Sequence, residues 1–160
     1  MNPVQHPFGP LFCENSRVLI LGSFPSVKSR EQNFFYGHPQ NRFWKTVAAI
    51  FDYPVPQSIE DKKKLILCNG LALWDSIASC EITGSSDASI RNARANDISI
   101  ILDNCSIEKI CCNGRKSHEL YRKYIEAETG REAVCLPSTS PANAQWSLDM
   151  LIAAWSVIAE

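Results

Sequence analysis

Apolar residues in this chain fall into short leucine-rich and β-branched runs, separated by stretches in which apolar positions recur at helical spacing. Arg17–Gly22 (RVLILG) is an unbroken apolar run closed by glycine, the pattern of a strand covered on both faces. A long loop through FFYGHPQN follows, and Arg42–Phe51 (RFWKTVAAIF) then has helical spacing until DYPVP stops it. Ser58 opens a second helix running to Leu67, with Asp61 placed as in a capping box, and Gly70–Trp74 predicts a second strand. Ile82–Asn96, rich in Ser, Asp and Asn, predicts an exposed loop, followed by a short helix at Asp97–Asn104. Ile107–Cys112 predicts a third strand closed by Asn113-Gly114, Ser117–Glu128 an amphipathic helix stopped by Gly130, and Glu132–Leu136 a fourth strand. Ser147 then caps a terminal helix, LDMLIAAWSVIAE, whose apolar stripe predicts packing on a sheet.

Strands interleaved with helices predict an α/β fold: a three-layer sandwich whose central four-stranded parallel sheet is flanked by helices on both faces, with right-handed crossovers. The 160 residues, 45% hydrophobic and 21% charged, suit a single domain spanning 1–160. The opening MNPVQHPFGPLFCEN is broken by Pro3, Pro7 and Pro10, and no apolar run reaches signal-peptide or membrane-spanning length. A soluble cytoplasmic protein without membrane contact is expected, and a monomer, associated with the nucleoid if the source is bacterial. The 7 cysteines are odd in number, lack a C-x-x-C pair and mostly sit in apolar stretches, which predicts reduced core thiols. With His6, His38 and His118 the only histidines and no ligand spacing visible, neither a metal nor another cofactor is expected.

The net charge of −1 argues against a uniformly basic nucleic-acid binder, but the charges are unevenly placed. Between Ser16 and Ile50 stand Arg17, Lys28, Arg30, Arg42 and Lys45 against the single acid Glu31, and Pro137–Trp146 carries no acid. This basic region coincides with two loops of Gly, Pro, Ser and Asn that follow predicted strands: LILGSFPS (Leu19–Ser26), running on to FFYGHPQNRFW (Phe34–Trp44), and CLPSTSPANA (Cys135–Ala144). In a parallel sheet the two loops open onto one edge, where α/β proteins bind ligands.

These segments, in this order and spacing, resemble the uracil-DNA glycosylase superfamily, and in particular its hypoxanthine-DNA (deoxyinosine) glycosylase branch; HPQNRFWK also resembles the mismatch-specific uracil and thymine glycosylases. GLALWDSIASC (Gly70–Cys80) and Asn113-Gly114 fit the same branch. Two positions depart from the superfamily pattern. Phe24 stands where the first loop usually carries a catalytic Asp or Asn, and Ser138-Thr139-Ser140 replaces the usual His-Pro-Ser or Asn-Pro-Ser. The resemblance to the hypoxanthine branch implies that the catalytic amide lies in the NRFW segment, as Asn41.

Cleaving an N-glycosidic bond places positive charge on the sugar and negative charge on the leaving base while water attacks C1′, after the nucleotide has been rotated out of the duplex. Asn41 has a donor and an acceptor with which to hold that water or the base. The candidate base-binding residues are Tyr36 as stacking platform, Phe24, Asn113 for hypoxanthine O6 or N1–H, and Ser138; Phe34 and Phe35 are alternative stacking faces or core. Backbone N–H groups around Phe24 and Ser138 are candidates for binding developing negative charge. Candidate DNA contacts are Ser23, Ser26, Lys28, Arg42 and Ser140, with Asn143 and Ala144 in a Pro141–Trp146 wedge loop that also offers Ala142 and Gln145. Ordinary turn chemistry accounts equally for the serines and for Asn113. His38 reads as a loop-stapling hydrogen bonder, Asp75 as a structural carboxylate, and Trp44, Trp74 and Trp155 as core. The expected activity is that of a monofunctional glycosylase excising a deaminated purine, leaving an abasic site because neither loop offers a Schiff-base lysine. Uracil excision and a catalytically silent nucleic-acid-binding domain are the alternatives.

Overall fold

The computed structural model describes residues 3–160. A two-residue strand, β1 (Val4–Gln5), precedes β2 (Val18–Gly22), all of whose residues are buried. Val18 and Ile20 pack on one side of β2 and Leu19 and Leu21 on the other, which is why this strand carries no polar residue. The loop after it contains a short helix that hydrophobic spacing did not predict, α1 (Val27–Gln32), in which only Ser29 is buried. Six mostly polar residues carry no apolar period; their signal is the Ser26 hydroxyl, which accepts from the Ser29 N–H at 3.1 Å.

Helices α2 (Phe43–Ile50) and α3 (Ile59–Leu67) lead to β3 (Leu71–Asp75), which lies parallel to β2. The next segment departs from the sequence prediction. Strands β4 (Ile77–Glu81) and β5 (Arg91–Ala95) form an antiparallel pair, and β1 joins the other edge of β4 to make a separate three-stranded sheet. The predicted Ile82–Asn96 loop therefore contains a strand. Its RNARA sequence is polar, half-exposed and irregular in register, as an edge strand can be, and gives no period-2 signal.

The chain returns through α4 (Ser99–Leu102) to β6 (Lys109–Asn113), then α5 (Arg115–Tyr124), α6 (Glu126–Thr129), β7 (Val134–Leu136) and α7 (Leu148–Trp155), ending in a 3₁₀ turn at Ser156–Ala159. The predicted Ser117–Glu128 helix starts two residues earlier and breaks at Ile125, where φ is −122°. The main sheet is four-stranded and parallel in the order β3-β2-β6-β7, with helices on both faces, as expected for the three-layer sandwich. Phe43, Val47, Ile66, Leu151 and Trp155 bring α2, α3 and α7 onto one face, while Ile98, Ile101, Tyr121 and Ile125 cover the other around α4 and α5.

Because the four strands are parallel, the carboxyl ends of β2, β3, β6 and β7 share one edge; β2 connects to β3 on one side and β6 to β7 on the other, which puts the topological switch between β2 and β6. Among the described residues no helix is long and apolar enough to cross a membrane. All seven cysteines are free, but only Cys80, Cys111 and Cys112 are core thiols; Cys68 and Cys135 are exposed, against expectation.

Candidate active site

A cleft of about 350 Å³ opens at that shared edge, lined by the loops after β2, β6 and β7 together with Tyr36, His38, Asn41, Asp75 and Asp87. The volume lies in the range of small-molecule sites. Both loops singled out in the sequence meet here, and Thr139 joins them.

Thr139 is fully buried. Its backbone N–H donates to Asn113 Oδ1 at 3.0 Å and its hydroxyl accepts from Asn113 Nδ2 at 3.0 Å, so one amide side chain grips one residue twice. The same hydroxyl donates to Asn41 Oδ1 at 2.8 Å, and that oxygen also accepts from the Phe43 N–H at 2.9 Å, at the start of α2. Two donors on Oδ1 fix the orientation of the Asn41 amide. Nδ2, with no partner among the described residues, is the group Asn41 presents to the cleft. The Asn113 oxygen accepts one of these bonds and its Nδ2 gives one hydrogen, so a second lone pair and a second N–H are left for a ligand: the N–H fits an acceptor such as purine O6 and the lone pair a donor such as N1–H.

Tyr36 stacks on Phe43 with ring centroids 4.0 Å apart and 19° between planes. Its φ of 50° is a conformation non-glycine residues seldom adopt; the Trp44 indole donates to its carbonyl at 3.2 Å, and the next N–H, of Gly37, donates to the Ser29 hydroxyl at 2.9 Å. Phe34 and Phe35 are core. The Tyr36 hydroxyl is buried and makes no hydrogen bond of normal geometry; burial, reinforced by the charge of Asp75, pushes its pKa well above the phenolic value, against a smaller opposing influence of the nearby Asn113 side chain. Gly22 makes this crowding feasible: a Cβ there would stand 2.3 Å from Asp75 Oδ1 and 3.2 Å from the Tyr36 hydroxyl. Asp75 is buried and pairs through Oδ2 with His6 Nε2 at 2.7 Å. His6, at the end of β1, has no apolar or spacing signal that would have linked it to the cleft.

The first loop is engaged by a segment that the sequence prediction treated as solvent-exposed. Ser23 donates to Asp87 Oδ1 at 2.6 Å, the Val27 N–H donates to Ser85 Oγ at 2.9 Å, and Arg30 donates to the Gly84 carbonyl at 2.6 Å. Phe24 lines the cleft but is mostly buried, beneath the Arg30 guanidinium. Ser26 caps α1 and donates to Ser29 Oγ at 3.1 Å; Lys28 is exposed and pairs with Glu31 at 3.5 Å. His38 Nδ1 accepts from the Gln40 N–H at 3.1 Å, as expected of a loop staple.

Arg42 is placed differently from a phosphate contact. Its guanidinium donates to the carbonyls of Ser140 at 2.9 Å and Asn143 at 3.0 Å, and to that of Trp146. It clamps the second loop from inside. Asn143 also turns inward, its Nδ2 donating to the Ser138 carbonyl at 3.0 Å, while Ala142, Ala144 and Gln145 are exposed at the tip. Ser138 Oγ accepts from the Ser140 N–H at 3.1 Å, and Ser140 Oγ from the Ala142 N–H at 3.1 Å, so both serines shape the loop they line. Among the described residues no three His, Cys, Asp or Glu side chains are grouped to hold a metal.

The sequence pattern of the uracil DNA glycosylase superfamily matches residues 10–159. A relative from Methanosarcina acetivorans named hypoxanthine DNA glycosylase is 35% identical over 146 residues, 90% of this chain and 91% of that protein. One of the same name from Methanosarcina barkeri is 34% identical over 139 residues, 85% of this chain and 86% of that one. The solution NMR structure of a Methanosarcina acetivorans protein, provisionally described as a uracil DNA glycosylase, aligns with a TM-score of 0.80 at 31% identity over 98% of this chain and 99% of that one. With its parallel-sheet fold and edge cleft, the chain belongs to the uracil DNA glycosylase superfamily, as the motif resemblance implied. It is a DNA glycosylase, a hydrolase of N-glycosidic bonds.

Proposed function

We propose that this protein excises hypoxanthine from deoxyinosine in DNA by hydrolysis, as a monomer and without a cofactor, the nucleotide being flipped into the cleft at the carboxyl edge of the sheet. The observation that carries the reading is the unpartnered Asn41 Nδ2 in the cleft that Tyr36 also lines. As the C1′–N9 bond lengthens, negative charge spreads over the purine onto its ring nitrogens and O6. A fixed N–H donor there stabilises the transition state more than the ground state, because it meets charge that exists only as the bond breaks. Tyr36, already held against Phe43, supplies a preorganised aromatic surface, and the remaining Asn113 N–H suits O6.

No lysine lines the cleft, in keeping with hydrolysis that leaves an abasic site. The exposed Pro141–Gln145 tip suits a wedge that fills the gap left by the flipped nucleotide. Preference for hypoxanthine over uracil rests on Phe24, a hydrocarbon ring lining the cleft at the position where, by the resemblance given above, the superfamily usually carries an Asp or Asn, and on the names of the two relatives. The test is a panel of labelled oligonucleotides carrying inosine, uracil or xanthine, treated with alkali after incubation. Faster release of hypoxanthine than of uracil is expected. Equal or faster cutting at uracil overturns the substrate assignment, and binding with no cutting anywhere makes the protein a silent binding domain.

A further inference from the structure

Hydrolysis requires more than stabilisation of the leaving base: something must orient the water, accept its proton and face the cationic sugar. Asn41 cannot do this through its oxygen, which already accepts two hydrogen bonds. Two carboxylates line the cleft. Asp75 is committed, one oxygen to His6 and the other wedged against Gly22. Asp87 is not. It arrives from the Ile82–Ile90 segment, which docks on the first loop by three contacts, and Ser23 engages only its Oδ1.

We propose that Asp87 is the catalytic base of this enzyme, using Oδ2 to hold the attacking water and accept its proton while Ser23 holds Oδ1. This rests on the glycosylase reading given above. The water oxygen bonds to C1′, the C1′–N9 bond breaks with its electron pair leaving on the purine, the water proton passes to Asp87, and the purine anion takes a proton from solvent. The carboxylate that this chain lacks at Phe24 is thereby supplied from a different segment and held by the residue beside that position.

The surroundings of Asp87 tune it for the task. Desolvation in the cleft raises its pKa above the ordinary carboxylate value, although the residue itself keeps solvent access at the cleft mouth; Asp75 adds to the rise, while the Ser23 hydrogen bond and the positive charge of Lys116 oppose it. Tyr36 and Cys80 also lie within electrostatic reach of Asp87, and Arg30 holds the same segment through the Gly84 carbonyl. A base with a raised pKa is protonated, and inactive, below that pKa. Cleavage should therefore rise with pH along a limb lying above the range of a free aspartate.

The experiment is single-turnover excision, with enzyme in excess, of whichever base in the inosine, uracil and xanthine panel the wild type releases fastest, measured across the acid limb. Asp87→Asn keeps the shape and an acceptor for Ser23 but cannot take a proton. Its rate should fall by about 10²–10⁴-fold and lose the limb, with thermal melting near that of the wild type. Ser23→Ala keeps the carboxylate and removes a hydrogen bond to its charged form, so the limb should move to higher pH. A structural role for Asp87 would not produce that shift. The proposal is overturned if Asp87→Asn cleaves within a few-fold of wild type, or if Ser23→Ala leaves the limb in place; the Ser23 variant decides the matter should Asp87→Asn fail to fold. A wild type that releases none of the bases overturns the glycosylase reading and this role with it.

Discussion

Replacing Asn41 by aspartate separates the two tasks its amide performs. Oδ1 accepts from the Phe43 N–H and from the Thr139 hydroxyl, whereas Nδ2 faces the cleft. Asn41→Ala loses both acceptor contacts, and two hydrogen bonds at about 0.5–1.5 kcal/mol each give a destabilisation of roughly 1–3 kcal/mol. For a domain of this size that is a fall in melting temperature on the order of 2–12 °C. Asn41→Asp keeps an acceptor in both places and should melt close to wild type. It nevertheless replaces the N–H donor with a carboxylate oxygen, which repels the charge growing on the purine. Single-turnover cleavage of an inosine oligonucleotide should therefore fall by at least about 10²–10³-fold in both variants, the cost of losing one preorganised donor. DNA affinity, measured by fluorescence anisotropy on undamaged duplex, should hardly change. Should Asn41→Asp melt normally and cleave within tenfold of wild type, Nδ2 does no chemistry; should it melt as low as Asn41→Ala, the two acceptor bonds do not hold the loop.

Tyr36→Phe removes a buried hydroxyl that makes no hydrogen bond of normal geometry, so differential scanning calorimetry should find the variant as stable as wild type or up to about 1 kcal/mol more stable, with cleavage retained. Tyr36→Ala, by contrast, loses the stack on Phe43 and should lower single-turnover cleavage. Arg42→Gln releases the carbonyls of Ser140, Asn143 and Trp146, so the second loop should become sensitive to limited proteolysis while the salt dependence of DNA binding is unchanged. Neutralising Lys45, which is exposed on α2, should instead reduce the slope of log affinity against log salt by about one unit if its face meets phosphates.

The main sheet was legible because a strand buried on both faces must be apolar throughout, and Val18–Leu21, Leu71–Leu73 and Ile110–Cys112 have little alternative. The small sheet was not. Its β5 reads RNARA, exposed or half-buried at every position, and its β1 is two residues long; neither buries enough apolar surface to leave a period in the sequence. The loop expected over Ile82–Asn96 holds for its first half, which is exposed through Ala88, and misses only β5; that this exposed half docks on the first loop and brings Asp87 to the cleft left no mark in its composition.

The site shows the same division between what composition announces and what only the fold can assemble. Asn41, Tyr36 and the serine-rich loops were legible because Gly, Pro, Ser and Asn cluster after apolar strands, and because HPQNRFW is an uncommon string. Thr139 was passed over in favour of the serines beside it, though it is the residue that binds the loops together: its hydroxyl reaches Asn41 from 98 positions away and Asn113 from 26. A threonine in a loop looks like any other turn residue until its partners are known, because a hydroxyl can both donate and accept and so fits almost any polar neighbour. Arg42 misled for the opposite reason. A cation in a basic stretch looks like a phosphate ligand, but the successive turns of this loop aim the carbonyls of Ser140, Asn143 and Trp146 at one point, and the planar fork of an arginine suits the task of gathering them. Asn41 and Tyr36, which line the cleft, could be read locally; Asp87 and the contacts that hold the loops in place depend on segments distant in sequence.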